Sequence, residues 1–180
     1  FQGTGGVVDT VAQLGNGGVN ADTVLRPVFM KKSPLELECL RRSAKVSELG
    51  FKAILENIKP GMTEAELCGI ATAAMLANGA EATGYPVWCC SGPNSDQAIS
   101  RPTLRKVQCG EIIHFSIGAK VEGYSTSLGR PVVLGHCPDD IRRFLQVGLD
   151  ALNMTFDEMR AGRLASDVAK KVHGYIREQG

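Results

Sequence analysis

Residues 110–135, GEIIHFSIGAKVEGYSTSLGRPVVLG, are the stretch whose reading decides the fold. Ile112, Ile113, Phe115 and Ile117 give the first arm β-branched and aromatic side chains, which suit a pleated, half-buried surface. Lys120-Val121-Glu122-Gly123 reads as the turn. Residues 124–134 form the second arm, closed by Gly135. Arms of this length belong inside a sheet rather than in a lone hairpin.

Upstream of the hairpin the chain carries two helix-start signatures. Ser33-Pro34-x-Glu36 offers an N-cap, a proline at the first helical position and a glutamate three beyond the cap. It predicts a helix over 34–57, with Leu37, Leu40, Ala44, Val46 or Ser47, Phe51 and Leu55 as its buried stripe. Lys59-Pro60-Gly61 breaks the chain. Thr63-x-x-Glu66 then opens a second helix that stops near Asn78-Gly79. Residues 85–90 read as a strand and residues 91–103, SGPNSDQAISRPT, as a loop. Downstream, Pro138 starts a helix to about Arg160, with Ile141, Phe144, Leu145, Val147 or Gly148, Leu152 and Phe156 as its apolar stripe. A last helix runs from Ser166 or Asp167 to near Gly180. Residues 1–3 read as a tag remnant. Residues 4–31 read as a loosely ordered arm or the end of a preceding domain, which leaves 32–180 as the main domain.

Composition limits the function classes. The 180 residues suffice for one domain with a real core. Twenty basic residues against nineteen acidic ones give no electrostatic case for nucleic acid or an anionic membrane. No apolar run approaches the roughly 20 residues of a membrane span. Six scattered cysteines form no C-x-x-C pair. They read as reduced thiols packed as small hydrophobes in a cytoplasmic protein, with a zinc site or a reactive thiol as the alternatives. There is no G-x-G-x-x-G, no P-loop and no G-x-S-x-G elbow, so neither nucleotide binding nor serine nucleophile chemistry has support.

The hairpin frame resembles that of the creatinase, Xaa-Pro peptidase (prolidase) and methionine aminopeptidase superfamily, the pita-bread fold. There the hairpin reads roughly G-D-x-x-x-x-D-x-G-A and then G-Y-x-x-D-x-x-R. Gly110-Glu111, Gly118-Ala119, Gly123-Tyr124 and Arg130 fall in the matching places. The sequence Lys32-Ser33-Pro34-x-Glu36, the Pro60-Gly61-x-Thr63-Glu64 corner and Ser91-Gly92-x-Asn94 also match in order and spacing. The resemblance covers about residues 22–180. It implies an α/β (α+β) domain with a curved, mostly antiparallel sheet and helices on its outer face, extending beyond the segment matched here. That extension, or a second copy in a homodimer, would cover the edges and apolar face otherwise left open.

The same resemblance places the family's two metal-bridging aspartates on Ser116 and Ser127, and its loop histidine on Ile99 or Ser100. A neutral hydroxyl cannot replace a bridging carboxylate. The family's later ligands match no position of this chain, so the expectation is no metal and no cofactor. Creatinase itself works without metal, and its loop resembles Gly92-x-Asn94-Ser95-Asp96-x-Ala98. Three readings follow. The first is a metal-independent hydrolase of a small C–N or amide substrate. The second is a catalytically silent module that binds a peptide or protein. The third is an Xaa-Pro dipeptidase or aminopeptidase whose metal ligands lie outside this segment.

Candidate residues divide by chemistry. His114 lies two residues before Ser116 and shares its strand face, so it is the candidate proton-transfer group; a packed strand histidine is the alternative. Asn94, Arg101, Ser116, Ser127 and Arg130 are the candidate substrate contacts. Arg101 is suited to a carboxylate by its bidentate fork, or is a surface arginine before Pro102. Arg130 either touches substrate or anchors the hairpin. His136 and His173 read as solvated.

Overall fold

The computed structural model describes residues 21–97 and 100–180. The tag remnant, most of the expected arm and Ile99 lie outside the described residues. The order is α1 (Asp22–Met30), α2 (Pro34–Asn57), α3 (Glu64–Ala77), β1 (Ala82–Thr83), β2 (Trp88–Ser91), a 3-10 turn (Gly92–Asp96), β3 (Ile112–Ile117), β4 (Ala119–Val121), β5 (Tyr124–Ser125), β6 (Leu128–Val133), α4 (Asp139–Glu158) and α5 (Ala165–Glu178).

Both capping boxes form. The Ser33 hydroxyl accepts from the Glu36 N–H while the Glu36 carboxylate accepts from the Ser33 N–H. Thr63 and Glu66 repeat the arrangement at the start of α3. Each box satisfies donors that a helix leaves without intrahelical partners.

The hairpin departs from two continuous arms. Each arm is broken, and its pieces belong to two three-stranded antiparallel sheets, β2-β3-β6 and β1-β4-β5. The break falls at Gly118, between β3 and β4. A Cβ at Gly118 would lie 2.2 Å from the Thr126 carbonyl oxygen and 2.6 Å from Tyr85 Cε1, so only glycine lets the crossing strand and the Tyr85 ring approach this closely. Beyond it, Val121 pairs with Tyr124 around a two-residue turn, Glu122-Gly123, with positive φ at both positions. That geometry matches the right-handed twist of the flanking strands.

Helices α2 and α3 cover one face of the sheets. Ile54, Leu67, Met75, Ile113, Phe115 and Ile117 are fully buried there, and Phe51 meets Phe115 edge to face at 6.2 Å. The buried stripe of α2 differs from the expected one. It runs through Ser43, Val46, Ser47, Gly50 and Ile54, whereas Leu37 and Leu55 are exposed. The reason is polar. Ser43 donates to the Ala119 carbonyl, Ser47 accepts from the Ala119 N–H, and Thr126 bonds both hydroxyls. Small hydroxyl residues thus fasten α2 to the strand crossing, where backbone groups would otherwise lack partners. On α4 the expected stripe exists but faces outward, with Phe144 and Phe156 each 68 % exposed. Its main neighbour is α5. All six cysteines are free thiols, and His136 and His173 are exposed.

Candidate functional site

Strand register sorts the candidate residues by face. Residues directly opposite in an antiparallel pair share a face. Trp88 pairs with Ser116 and Cys90 with His114; on the other side Ser116 pairs with Gly129 and His114 with Pro131. Trp88, His114 and Ser116 therefore stand together on the face away from α2 and α3. Phe115 points to the helices, and Arg130 is its partner. Arg130 is thus on the other face from His114 and Ser116, and its guanidinium donates to the Gly129 carbonyl.

Ser116 and Ser127 are joined through Tyr85. The Tyr85 hydroxyl donates to the Ile117 carbonyl at 2.7 Å and lies 3.1 Å from Ser116 Oγ and 2.9 Å from Ser127 Oγ. With its one hydrogen on Ile117, the phenol oxygen accepts from both serines. Its ring packs on Trp88 with centroids 5.0 Å apart. Three neutral hydroxyls thus stand where the resemblance places a carboxylate pair, and the phenol fills the space between the two serines. Such weak neutral donors do not fit a dinuclear divalent centre. Among the described residues, no three His, Cys, Asp or Glu side chains converge to hold a metal ion.

His114 is half-buried, and burial lowers its pKa below the usual 6.5, favouring the neutral imidazole. No hydrogen bond reaches the ring among the described residues. Since no buried side-chain nitrogen there lacks a partner, both ring nitrogens reach solvent. Nε2 lies toward Gly129, which presents no side chain to it.

Asn94 belongs to a different cluster, built around Glu64 in the first turn of α3. The Glu64 carboxylate is fully buried. It accepts from the Ser91 N–H and hydroxyl at 2.7 Å each, from the Thr103 N–H at 2.9 Å and hydroxyl at 2.6 Å, and from Asn94 Nδ2 at 3.2 Å. Burial pushes this carboxyl up, but the bonds from Thr103 and Ser91 outweigh it and hold the pKa below the ordinary 4.5. Arg105 lies alongside. It grips Glu111 through two bonds of 2.7 and 2.6 Å and donates to Ser91 Oγ. Glu111 is likewise pushed up by burial and pulled further down by Arg105. Arg101 is exposed two residues before Thr103.

The structure brings Ser116 and Ser127 together, with His114 beside them on one face. Asn94 is bonded into the Glu64 cluster, Arg101 is exposed on the loop whose Ser100 carbonyl meets Cys90, the cross-strand partner of His114, and Arg130 stands on the other face. Sequence reasoning missed Tyr85, Glu64 and Arg105. Tyr85 gave no signal, because a tyrosine before Pro86 reads simply as the start of a strand. Glu64 was visible only as part of the Thr63-Glu64 corner and as a first-turn acid suited to a helix N-terminus, and neither shows that its carboxylate gathers Ser91, Asn94 and Thr103.

The description of Metallopeptidase family M24 matches residues 38–180. Methionine aminopeptidase 1 of Bacillus subtilis is 26 % identical over 153 residues, covering 82 % of this chain and 62 % of that protein. Creatinase of Bacillus sp. strain B-0618 is 27 % identical over 157 residues, covering 83 % and 38 %. Among solved structures, the X-Pro aminopeptidase of Thermotoga maritima superposes with a TM-score of 0.86 at 25 % identity, over 88 % of this chain and 45 % of that one. The prolidase of Pyrococcus furiosus gives 0.86 at 21 %, over 88 % and 47 %. The chain spans less than two thirds of each of these proteins. Its fold is the α+β pita-bread fold, as the hairpin frame implied.

Proposed function

The chain belongs to metallopeptidase family M24, and from that premise we propose that it is a metal-independent hydrolase of a small amide or C–N substrate, acting on the open face around His114. One observation carries the reading: the Tyr85 hydroxyl sits within hydrogen-bond distance of both Ser116 and Ser127. Chemistry at this position then rests on hydrogen bonding and proton transfer rather than on a metal pair.

The available proton carrier is His114. A neutral imidazole takes a proton from an attacking water and returns it to the leaving nitrogen as the C–N bond breaks. Burial favours the base form needed for the first step. Ser116 stands two residues along the same face. Its hydroxyl hydrogen rotates, so it can turn from Tyr85 toward a substrate oxygen.

The second reading, a silent module binding a peptide or protein, is favoured by the joint replacement of the two aspartates by Ser116 and Ser127 and of the loop histidine by Ile99 or Ser100. Elemental analysis of the purified protein, followed by a substrate screen in chelator, separates the readings. Turnover that survives chelation and is lost in His114→Ala supports the hydrolase. Turnover unchanged in that variant removes the role of His114. Binding without turnover favours the silent module. About two divalent ions per chain, with turnover abolished by chelation, would restore a two-metal mechanism with ligands from outside this segment.

A further inference from the structure

The Glu64 cluster has no part in the chemistry above, yet it holds the most densely bonded side chain among the described residues. A buried carboxylate is stable only when its lone pairs are filled. Here the donors come from two stretches of chain. Ser91 and Asn94 lie at the end of β2 and in the 3-10 turn, and Thr103 lies nine residues beyond Asn94. The Thr103 hydroxyl is itself shared, accepting from Asn94 Nδ2 and from the Arg105 N–H. Backbone bonds continue the junction: the Glu64 N–H donates to the Arg105 carbonyl and the Ala65 N–H to the Thr103 carbonyl.

We propose that Glu64 is a positioning residue for the open face around His114, one carboxylate on α3 that fixes Asn94 on one side and the Arg101–Thr103 stretch on the other relative to β2, whose Cys90 pairs with His114 and meets the Ser100 carbonyl. Its neighbours define what ionisation does. Arg105 reaches it through Ser91 Oγ, and Glu111 is neutralised by Arg105. The remaining titratable groups nearby are the thiols of Cys68, Cys89 and Cys90. Of these, Cys89 and Cys90 are pushed up and stay protonated, Cys89 first by its bond with Cys68 and then by burial, Cys90 by burial. Glu64 is therefore the one acid in the cluster that lacks a directly bonded cation. A protonated Glu64 becomes a donor facing donors, and the junction loosens. Because its pKa is lowered in the folded protein, the junction is fully held above the ordinary glutamate range and is lost as pH falls through the lowered value.

Only the turnover arm of the test rests on the open-face reading. Glu64→Gln keeps the shape and removes the charge. In that variant, amide exchange at Ser91 and Thr103 accelerates about tenfold to a hundredfold, while Phe115 and Ile117 in β3 keep their protection. In the wild type, protection at Ser91 and Thr103 falls at acid pH; in Glu64→Gln it is flat. If turnover is found, KM rises in Glu64→Gln more than kcat falls. Should Glu64→Gln fail to fold, Thr103→Val, which deletes the 2.6 Å hydroxyl bond, gives a smaller acceleration at the same two positions. Unchanged exchange at Ser91 and Thr103, or acceleration spread equally over β3, overturns the proposal. A wild type without turnover would remove the hydrolase reading and leave the exchange arm intact.

Discussion

Replacing Gly118 by alanine tests the strand crossing on which the open face depends. The added methyl would sit 2.2 Å from the Thr126 carbonyl oxygen and 2.6 Å from Tyr85 Cε1. Neither neighbour yields easily. Thr126 is tied to Ser43 through both its N–H and its hydroxyl. The Tyr85 ring is pinned by three contacts of its hydroxyl. Overpacking a tight site costs about 1–3 kcal/mol. Displacing the ring adds about 0.5–1.5 kcal/mol for each hydrogen bond lost. We expect Gly118→Ala to lose about 4 kcal/mol, seen as a fall of about 10 °C in the thermal midpoint of a chain this size. Gly69, exposed on α3 with nothing within 4 Å of an added Cβ, is the control. Gly69→Ala should gain about 0.5–1 kcal/mol from helix preference alone. Urea unfolding of both variants measures the contrast. A loss below about 1 kcal/mol in Gly118→Ala, within the ordinary scatter of surface changes, would refute the account of the crossing.

Other expectations follow from single residues. Phe115→Ala, at a fully buried ring against Phe51, should lose about 3–5 kcal/mol in the same urea assay. Tyr85→Phe keeps the ring and removes the hydroxyl shared by Ser116 and Ser127; a loss of about 1–2 kcal/mol is expected, and no loss would mean the cluster does not hold the face together. An NMR titration of His114 should find its midpoint below 6.5, and a midpoint above that value would contradict its burial. For a histidine with a lowered folded pKa, the unfolded state binds more protons, so its share of stability declines as pH falls below the unfolded value. With a thiol reagent on the native protein, exposed Cys109 should react quickly while buried Cys89 and Cys90 stay unmodified until unfolding.

The legible parts of this chain were those with local causes. Ser33, Glu36, Thr63 and Glu66 set their helix starts with neighbours three residues away, and a pattern that short can be read directly. The hairpin was legible through its β-branched residues and Gly123, but its division was not, because the break at Gly118 is caused by Tyr85 and Thr126. The stripe of α2 misled for a related reason. Leucines mark burial by solvent transfer, whereas Ser43, Ser47 and Gly50 are buried because the partner surface demands small or hydrogen-bonding groups. Ser116 and Ser127 could be singled out from the hairpin frame, but nothing in the sequence revealed that Tyr85 joins them. Arg130 was grouped with them by the family resemblance, as a substrate contact or a hairpin anchor, and strand register pairs it with Phe115 on the opposite face.

The pairing of Trp88 with Tyr85 gives the protein an optical property. Trp88 is the chain's single tryptophan, so all indole emission comes from one half-buried position beside Ser116. Tyr85, with its ring centroid 5.0 Å away, is close enough to pass excitation to it. A molecule settling on that face would alter the intensity or wavelength of the emitted light with no label attached. The same signal would follow loss of the Tyr85 contact. Candidate ligands can therefore be ranked by native fluorescence before any reaction is known.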